Sequence, residues 1–478
     1  MKRALLWFRR DLRLTDNPAL HAALRECDEI VPIYIHAPQE QRHWSPGGAS
    51  RWWLHQSLRK LGRQLQERGS QLLILRGASL DTLQSLVADH AVTHLFWNRL
   101  YDPALIECEK RIKRRLKQRG VECRSFNAAL LCEPWEISNR SGAPFRVFTP
   151  FWRSCLQRLD ALEQPQAAPD KLPAVTSKIR GLQTEDLNLQ PEVAWDAGLA
   201  KTWEAGETGA LEQLHRFLQQ RIDDYDSTRD LPGIQGTSRL SPHLHFGEIG
   251  PRQILHALRS TLAGEASTGA ESFLRELGWR EFAHHLLYHF PQTDQAPLNP
   301  KFKAFPWAWA AQLPEALRAW QQGRTGIPIV DAGMRELWHT GWMHNRVRMI
   351  VASLLTKNLG IHWLEGARWF WDTLVDADLP SNTLGWQWTA GCGADAAPFF
   401  RIFNPVRQGE RFDPDGDYVR RWVPELAMLP NTRLHAPWTA DSNTLDAADV
   451  KLGLTYPLPI VDLKVSRETA LNHWHNIK

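Results

Sequence analysis

Short apolar runs alternate with amphipathic stretches over the first 131 residues of the chain. Runs typical of β-strands cover residues 4–8, 30–36, 71–75, 93–97 and 121–126. Between them, apolar residues recur at helical spacing over residues 50–68, 79–90 and 103–119. Because this alternation is typical of a parallel sheet covered by helices, it predicts an α/β, doubly wound N-terminal domain.

The pattern changes twice farther along the chain. Residues 132–205 lose the periodicity and are rich in Pro, Gln and Asp, which is typical of a long connector. Beyond residue 206 apolar positions recur at i, i+3 and i+4, for instance over 209–222, 251–262, 270–288 and 347–359. We therefore predict an α/β domain at 1–131, a linker at 132–205 and a large all-α domain at 206–478.

Composition narrows the class of protein. Of 478 residues, 43% are hydrophobic and 23% are charged, which is ordinary for a globular chain. The net charge of +4 permits a polyanionic partner without requiring one. The six cysteines lack CxxC or Cys/His spacing, so neither a disulfide framework nor a zinc site is predicted. The early charges Arg9, Arg10 and Asp11 exclude a signal peptide, and no apolar stretch reaches membrane-spanning length. A cytoplasmic protein without a membrane partner is expected.

Tryptophan is unusually abundant, with 23 residues that lie mostly beyond position 134. Its side chain packs cores, stacks on nucleic-acid bases and can carry an electron hole. Core packing must account for most of them. A basic run at 111–117 could bind nucleic acid, but its apolar residues recur at helical spacing, so a solvated helix face is favoured.

The segment GTSRLSP at 236–242 combines small residues and hydroxyls just before a predicted helix. Free backbone N–H groups and the following helix N-terminus would suit an anion. An ordinary helix N-cap is an equally good interpretation from chemistry alone.

The segment ELGWREF at 276–282 places Glu276, Trp279 and Arg280 at i, i+3 and i+4 of a predicted helix. A carboxyl group, an aromatic plate and a guanidinium on one face suit a planar polar ligand with phosphates. The alternative is an ion pair between Glu276 and Arg280 beside a core tryptophan.

Two further segments carry candidate chemistry. In 340–349, helical spacing predicts one face shared by Trp342, Asn345 and Met349. In 376–382, Asp376 and Asp378 resemble a metal pair, but no further ligand completes a coordination set, so no metal is predicted.

The order and amino-acid sequences of these segments resemble those of the photolyase/cryptochrome family, and specifically those of the cyclobutane pyrimidine dimer (CPD) DNA photolyases. The opening WFRRDLRLTDNPAL at 7–20 resembles the first strand and turn of that family. The other matching segments are GTSRLSPHLHFGEI (236–249), ELGWREF (276–282), GRTGIPIVDAGMRELWHTGWMHNRVRM (323–349), DADLPSNTLGWQW (376–388) and FFRIFNPVRQGERFDPDGDYVRRWVPEL (399–426).

The resemblance implies a C-terminal domain that binds FAD, which is active in its reduced form. Asn382 would lie near flavin N5, where a neutral amide favours the reduced anion. The residues implied to contact FAD are Tyr225, Thr237, Ser238, Arg239, Leu240, Ser241, Arg348, Asp376, Ala377, Asp378 and Asn382. One departure is Phe273, where relatives often carry a flavin-contacting tryptophan.

The resemblance also implies a lesion site. Glu276 and Asn345 would hydrogen-bond the lesion, and Trp279 and Trp388 would wall its pocket. Enzymes for (6-4) photoproducts place histidines where this chain has Asn345 and Met349, which favours the cyclobutane dimer. The residues implied to contact DNA are Arg229, Glu276, Trp279, Arg280, Asn345, Arg346 and Trp388.

Three tryptophans, Trp386, Trp363 and Trp307, are implied to pass electrons from the surface to oxidised flavin, with Trp309 as an alternative to Trp307. The implied function is light-driven repair of cyclobutane dimers in UV-damaged DNA by a monomer. A second, antenna chromophore is expected, a folate or a deazaflavin. A cryptochrome-type photoreceptor is the main alternative, and a module that binds single strands through its tryptophans is a weaker one.

Overall fold

The apolar runs of the N-terminal region form a parallel five-stranded sheet in the computed structural model, which describes residues 2–176, 179–262, 267–396 and 400–477. The spatial order of the strands is β3-β2-β1-β4-β5. The strands are β1 (Arg3–Phe8), β2 (Glu29–His36), β3 (Leu73–Arg76), β4 (His94–Asn98) and β5 (Glu122–Phe126). The predicted α/β, doubly wound sheet is confirmed.

The central strands β1 and β2 are buried on both faces, which explains why their interior positions are apolar. Along β1, Leu6 and Phe8 pack into one core cluster. Leu5 and Trp7 pack into a second cluster, which also contains Trp97 of β4. Successive side chains of a strand point to opposite faces, so the β1 residues from Ala4 to Phe8 alternate between the two cores.

The chain divides into two compact units. The first contains Met1–Asp223, Ser238–Pro291 and Val375–Leu379, and the second contains Asp224–Thr237, Gln292–Leu374 and Pro380–Lys478. Helices of the first unit are α1 (Pro18–Glu26), α2 (Gly48–Glu67), α3 (Ser79–His90), α4 (Pro103–Lys117), α5 (Phe148–Leu156), α6 (Ala197–Thr202), α7 (Glu207–Gln220), α9 (Ser241–His245), α10 (Pro251–Leu262) and α11 (Thr268–His289). The predicted boundaries at 131 and 205 stay a prediction, since units defined by contacts need not follow contiguous sequence domains.

Helix α5 lies within the segment that the sequence pattern predicts to be a connector. Its apolar residues Phe148, Phe151, Trp152 and Cys155 are buried and follow the i, i+3, i+4 spacing. The helix is only 9 residues long and is surrounded by polar, proline-containing sequence, which conceals its periodicity. It contacts α11.

The second unit is helical. Its helices are α8 (Tyr225–Thr228), α12 (Pro314–Gln321), α13 (Pro328–Thr340), α14 (Asn345–Ser353), α15 (Trp363–Thr373), α16 (Leu379–Ala390), α17 (Pro405–Phe412), α18 (Asp417–Trp422), α19 (Asn431–Leu434), α20 (Ser442–Ala447) and α21 (Leu463–Ile477). An all-α C-terminal part is therefore confirmed. Across the described residues, no helix is both long and apolar enough to cross a membrane.

The start of α14 corrects one prediction. His344 is its N-cap, and the imidazole accepts a hydrogen bond from the backbone N–H of Arg346. Trp342 therefore lies before the helix, and the helical face that it was predicted to share with Asn345 and Met349 does not exist. Asn345 and Met349 are still one helical turn apart.

Candidate functional site

Trp279 of α11 lies face to face with an aromatic ring of α5. The ring centroids of Trp279 and Phe148 are 3.8 Å apart, with an angle of 7° between the ring planes. Phe148 is 1% exposed, whereas Trp279 is half-buried. Phe148 thus covers one face of the indole and holds the plane of Trp279 in place.

Helix α11 also allows a second ring of α5 to approach its backbone. A Cβ atom added to Gly278 would lie 2.6 Å from a ring carbon of Trp152. Glycine is the residue that leaves this space. The two helices are therefore in close contact directly beside Trp279.

Arg280, next in sequence, points to the interior of the first unit. Its Nη1 donates a hydrogen bond to the backbone oxygen of Ala129 at 2.7 Å and lies 3.6 Å from Oε1 of Glu281. With this side chain largely buried, Arg280 has little surface to present to DNA. The prediction that α11 is a helix is confirmed, and the DNA contact of Arg280 stays a prediction.

The buried end of Arg280 lines a small polar cavity of about 20 Å³. This volume corresponds to about one water molecule. The cavity is lined by Arg10, Leu100, Tyr101, Asp102, Ala129, Leu244, His245, Arg280, His284 and Asp378. Arg10 follows β1, and residues 100–102 follow β4, where the strand order reverses. In open α/β sheets this reversal is the usual place for a ligand site.

Charges in this cluster compensate one another. Arg10 forms an ion pair with Asp102. His245 and His284 each approach the same carboxylate oxygen of Asp378 to 3.8 Å. Such pairing is what makes charge tolerable in a protein interior.

Protonation states follow from burial and these neighbours. Burial lowers the pKa of Arg10 to about 10, against the attraction of Asp378, so the guanidinium stays charged near neutral pH. Burial also lowers the pKa of His284 to about 4, which leaves its imidazole neutral there. Burial alone would raise the pKa of Asp378, but His284, His245 and Arg280 hold it well below its usual value. Asp378 is therefore a fixed negative charge.

The segment predicted to cradle an anion is tightly held in its first half. A Cβ atom on Gly236 would lie 2.6 Å from the carbonyl oxygen of Thr228, so only glycine lets the backbone pass. Arg239 adopts a left-handed conformation with φ of 53°, which is uncommon for a non-glycine residue. The following helix α9 has only 5 residues. Its dipole is correspondingly small, so hydroxyls and backbone N–H groups would have to hold an anion.

In the second unit, two predicted flavin contacts are fixed by backbone carbonyls. Nε of Arg348 donates to the oxygen of Met343 at 2.7 Å, which orients the guanidinium. Nδ2 of Asn382 donates to the oxygen of Ala367 at 3.0 Å. Because the amide nitrogen has this partner, the amide oxygen of Asn382 is the group that remains to accept a hydrogen bond.

The second unit also buries two of the predicted electron-transfer residues. Trp386 is 2% exposed and Trp363 is fully buried. Within the part of the chain that the structure describes, neither indole N–H has a hydrogen-bond partner. Gly366 lies one turn after Trp363 on α15, and a Cβ atom there would lie 2.0 Å from the ring of Trp386. Gly366 therefore lets Trp386 pack directly on the helix that carries Trp363.

His362 contacts Trp363 and both candidates for the outermost position. Its ring centroid lies 5.8 Å from Trp363, 5.3 Å from Trp307 and 4.0 Å from Trp309. Trp307 is 8% exposed, and its N–H donates to the oxygen of Thr356 at 2.9 Å. Trp309 is 44% exposed and stacks on His362. The geometry thus leaves both tryptophans in contact with the same histidine.

The remaining DNA candidates of the second unit lie on several elements. Asn345 is exposed at the start of α14, and Met349 is half-buried one turn later. Arg346 pairs with Asp230 at 2.7 Å and lies over the ring of Phe412. The guanidinium of Arg401 lies 6.0 Å above Trp388, and that of Arg229 lies 5.6 Å from the ring of Tyr225. The DNA contacts assigned to these residues stay predictions.

Phe273, the departure from the family pattern, is buried in the first unit. Its ring lies 4.6 Å from that of Phe217 on α7. Asp376 and Ala377 are buried in the turn before α16. Among the described residues, no group of three or more His, Cys, Asp or Glu side chains is arranged to hold a metal ion.

Several residues that contact the predicted site residues are absent from the sequence predictions. Phe148 and Gly366 act only by contact with a predicted tryptophan, and a lone Phe or Gly carries no motif. Arg10 and His284 are ordinary residues in sequence, yet both surround Asp378. The family-like opening segment at 7–20, which contains Arg10, was the available signal.

Comparison with known proteins decides the family. The family model for DNA photolyase matches residues 4–173, and the model for the FAD binding domain of DNA photolyase matches residues 273–476. The chain belongs to the photolyase/cryptochrome family.

Relatives within the family include both named functions. A deoxyribodipyrimidine photo-lyase of Agrobacterium fabrum is 45% identical over 99% of this chain and 98% of its own length. Cryptochrome-1 of Arabidopsis thaliana is 41% identical over 96% of this chain and 68% of its own. The crystal structure of a bacterial class III photolyase from Agrobacterium tumefaciens has a TM-score of 0.94 at 44% identity, covering 100% of this chain and 98% of that one. The photolyase/cryptochrome fold is thus established by sequence and structure alike.

The residues present fit the FAD that this family binds. Gly236 fixes the start of the 236–242 segment, because a Cβ atom there would meet the carbonyl oxygen of Thr228. The buried N–H of Trp386 has no partner in the described chain. Arg348 and Asn382 are each oriented by a hydrogen bond to a backbone oxygen. The second unit therefore carries features suited to the cofactor.

Proposed function

We propose that this protein is a light-driven enzyme that repairs cyclobutane pyrimidine dimers in DNA. The observation that carries the proposal is that each unit leaves its proposed lesion residues at least partly accessible. Glu276 and Trp279 are half-buried one turn apart on α11. Asn345 is exposed and Met349 half-buried on α14, at positions where enzymes for the (6-4) lesion would have histidines.

Reduced FAD, when bound and excited by light, would supply the electron that opens the cyclobutane ring and would accept it back. The residues proposed to hold FAD are Tyr225, Thr237, Ser238, Arg239, Leu240, Ser241, Arg348, Asp376, Ala377, Asp378 and Asn382. The amide of Asn382 is neutral, so near flavin N5 it adds no negative charge that would oppose the reduced anion. The carboxylate of Asp378 stays negatively charged near neutral pH, because its pKa is held well below the usual value.

The side chains act on the lesion through shape and hydrogen bonding. A dimer inside a duplex is inaccessible, so it must be flipped out, as photolyases in general do, at a cost of a few kcal/mol. Stacking on Trp279 and Trp388 would offset this cost by roughly 1–3 kcal/mol per base. The carboxyl group of Glu276 and the amide of Asn345 would hydrogen-bond the thymine carbonyls, where negative charge develops as the ring opens.

The decisive experiment measures loss of dimers from UV-irradiated DNA with and without blue light. Flavin absorption bands in the purified protein are the first requirement. Glu276→Ala should lower the number of dimers repaired per absorbed photon while FAD stays bound. An unchanged repair yield in Glu276→Ala would exclude the role proposed for this carboxyl group.

A cryptochrome-type photoreceptor is the second candidate, favoured by the 41% identity to Cryptochrome-1 of Arabidopsis thaliana. Such a protein would bind FAD and respond to light but would leave dimers intact. Flavin photochemistry without any light-dependent loss of dimers would therefore replace the first proposal by the second.

We propose in addition that the protein binds an antenna chromophore, a folate or a deazaflavin. We also propose that the protein is a monomer. The polar cavity at the reversal of strand order has room for about one water molecule and is too small for either. An extra near-ultraviolet or violet absorption band would identify the antenna, and light scattering would measure the mass in solution.

A further inference from the structure

We infer that Phe148 of α5 is a positioning residue for lesion recognition, acting through Trp279. The inference rests on the proposed function, because it assumes that Trp279 stacks on a flipped base. The rings of Phe148 and Trp279 are 3.8 Å apart and within 7° of parallel. A base that stacks on Trp279 must use the other face of the indole, since Phe148 covers the first.

Burial makes Phe148 a rigid support. It is 1% exposed, and it contacts the rings of Trp152 and Phe282 as well as that of Trp279. The guanidinium of Arg275 lies 5.1 Å from the Phe148 ring. A ring enclosed on these sides cannot rotate freely, so it transmits the position of α5 to the plane of Trp279.

The physical effect of the support is to reduce the entropy that binding must remove. A tryptophan that is already held in one orientation loses little freedom when a base stacks on it. Without Phe148, the indole would have to be ordered by the lesion itself. The consequence is weaker recognition of the dimer, not loss of the fold.

The same helix offers a matched control. Phe151 is also buried, at 2% exposed, but its ring packs against Phe282 and His285, with centroids 5.1 and 4.9 Å away. Replacing either phenylalanine with leucine removes one buried ring of equal size. Phe148→Leu and Phe151→Leu should therefore lower the melting temperature similarly, and only the former should change Trp279.

The test uses the full-length protein with its flavin, in the dark so that no repair occurs. Binding is measured to a single-stranded oligonucleotide with one thymine dimer and to the same oligonucleotide undamaged. Phe148→Leu should weaken dimer binding roughly two- to tenfold, which is the range expected for one aromatic pair. Phe151→Leu should bind the dimer like the unsubstituted protein. The loss of affinity in Phe148→Leu should exceed any loss of repair per photon at saturating DNA.

A double-mutant cycle shows whether Phe148 acts through Trp279. In a Trp279→Ala background, Phe148→Leu should cause no further loss of dimer affinity. Equal effects in both backgrounds, or equal effects of Phe148→Leu and Phe151→Leu, would overturn the inference.

The proposed function fails separately if the unsubstituted protein binds both oligonucleotides alike and does not repair the dimer under light. Binding to the undamaged strand would then test whether Phe148 positions Trp279. A loss in Phe148→Leu that disappears in the Trp279→Ala background would still support positioning, and no such loss would overturn it.

Discussion

Tryptophans of the two units differ in exposure and in what covers them. Trp279 of the first unit is half-buried, with Phe148 against one face. Trp386 and Trp363 of the second unit are buried, and their N–H groups lack partners in the described chain. Stacking on a base requires an accessible ring face, whereas a buried ring is held in a fixed position by its neighbours. The two environments suit the two proposed roles, base stacking for Trp279 and electron transfer for Trp386 and Trp363.

Among substitutions of the buried tryptophans of the second unit, Trp386→Phe should have the largest effect on flavin photoreduction. We expect it to abolish nearly all photoreduction of oxidised FAD, because phenylalanine is far harder to oxidise than tryptophan. Absorption changes under blue light measure this. Repair by chemically reduced protein should persist, and photoreduction at the original rate would exclude Trp386 from the electron path.

Among substitutions of accessible tryptophans, Trp279→Ala should have the largest effect on dimer binding. Dimer affinity should fall by roughly 1–3 kcal/mol, the usual worth of one base–aromatic stack, while flavin photoreduction stays as it was. Trp338 is a matched control because it is 58% exposed and stacks on Trp369. If Trp338→Ala weakened dimer binding as much as Trp279→Ala, exposed tryptophans in general would be responsible.

Gly366→Ala tests the packing of the buried tryptophans of the second unit. The added methyl group would overlap the ring of Trp386 and should lower the free energy of unfolding by about 1–3 kcal/mol. Photoreduction should become slower as Trp386 shifts. In Gly385→Ala the new Cβ would meet no atom of the described chain within 4 Å, so a small gain of about 0.5–1 kcal/mol from helix propensity is expected. Urea unfolding measures both, and equal stability of the two variants would contradict the packing argument.

Comparing Trp307→Phe with Trp309→Phe tests which tryptophan is the outermost residue of the proposed electron path. We expect the larger loss of photoreduction in Trp307→Phe, because the hydrogen bond to Thr356 fixes that ring. A larger loss in Trp309→Phe would transfer the outermost position to the exposed tryptophan.

Acidification acts on one histidine in each region. The pKa of His284 and of His362 is lowered by burial to about 4, from 6.5 in an unfolded chain. Below pH 6.5 the unfolded chain binds protons that the folded chain refuses, so the free energy of unfolding should fall as the pH drops toward 4. The loss due to His284 is on the order of 2–3 kcal/mol, and that due to His362 is smaller because its ring is partly exposed. Urea midpoints at pH 7 and pH 4.5 should differ less in His284→Gln than in His362→Gln, and the reverse order would contradict this ranking.

Much of the candidate site could be predicted because local patterns carry it. The helical spacing of α11 placed Glu276 and Trp279 one turn apart, and the family motifs identified Asn345 and Met349. The same reasoning failed at Trp342, because the His344 cap starts α14 after that residue. It also missed α5, whose 9 residues are too few for a clear period.

The sequence alone determined the parallel sheet, the helical C-terminal part and the family. Strand segments that are buried on both faces are mainly apolar, and helices with one buried face repeat at helical spacing, so both leave a local record. Only the tertiary structure decided that Phe148 covers Trp279, that Gly366 makes room for Trp386 and that Arg10 lies beside Asp378. Periodicity reports which face of an element is buried but not which distant element covers it. That choice is made when the whole chain packs.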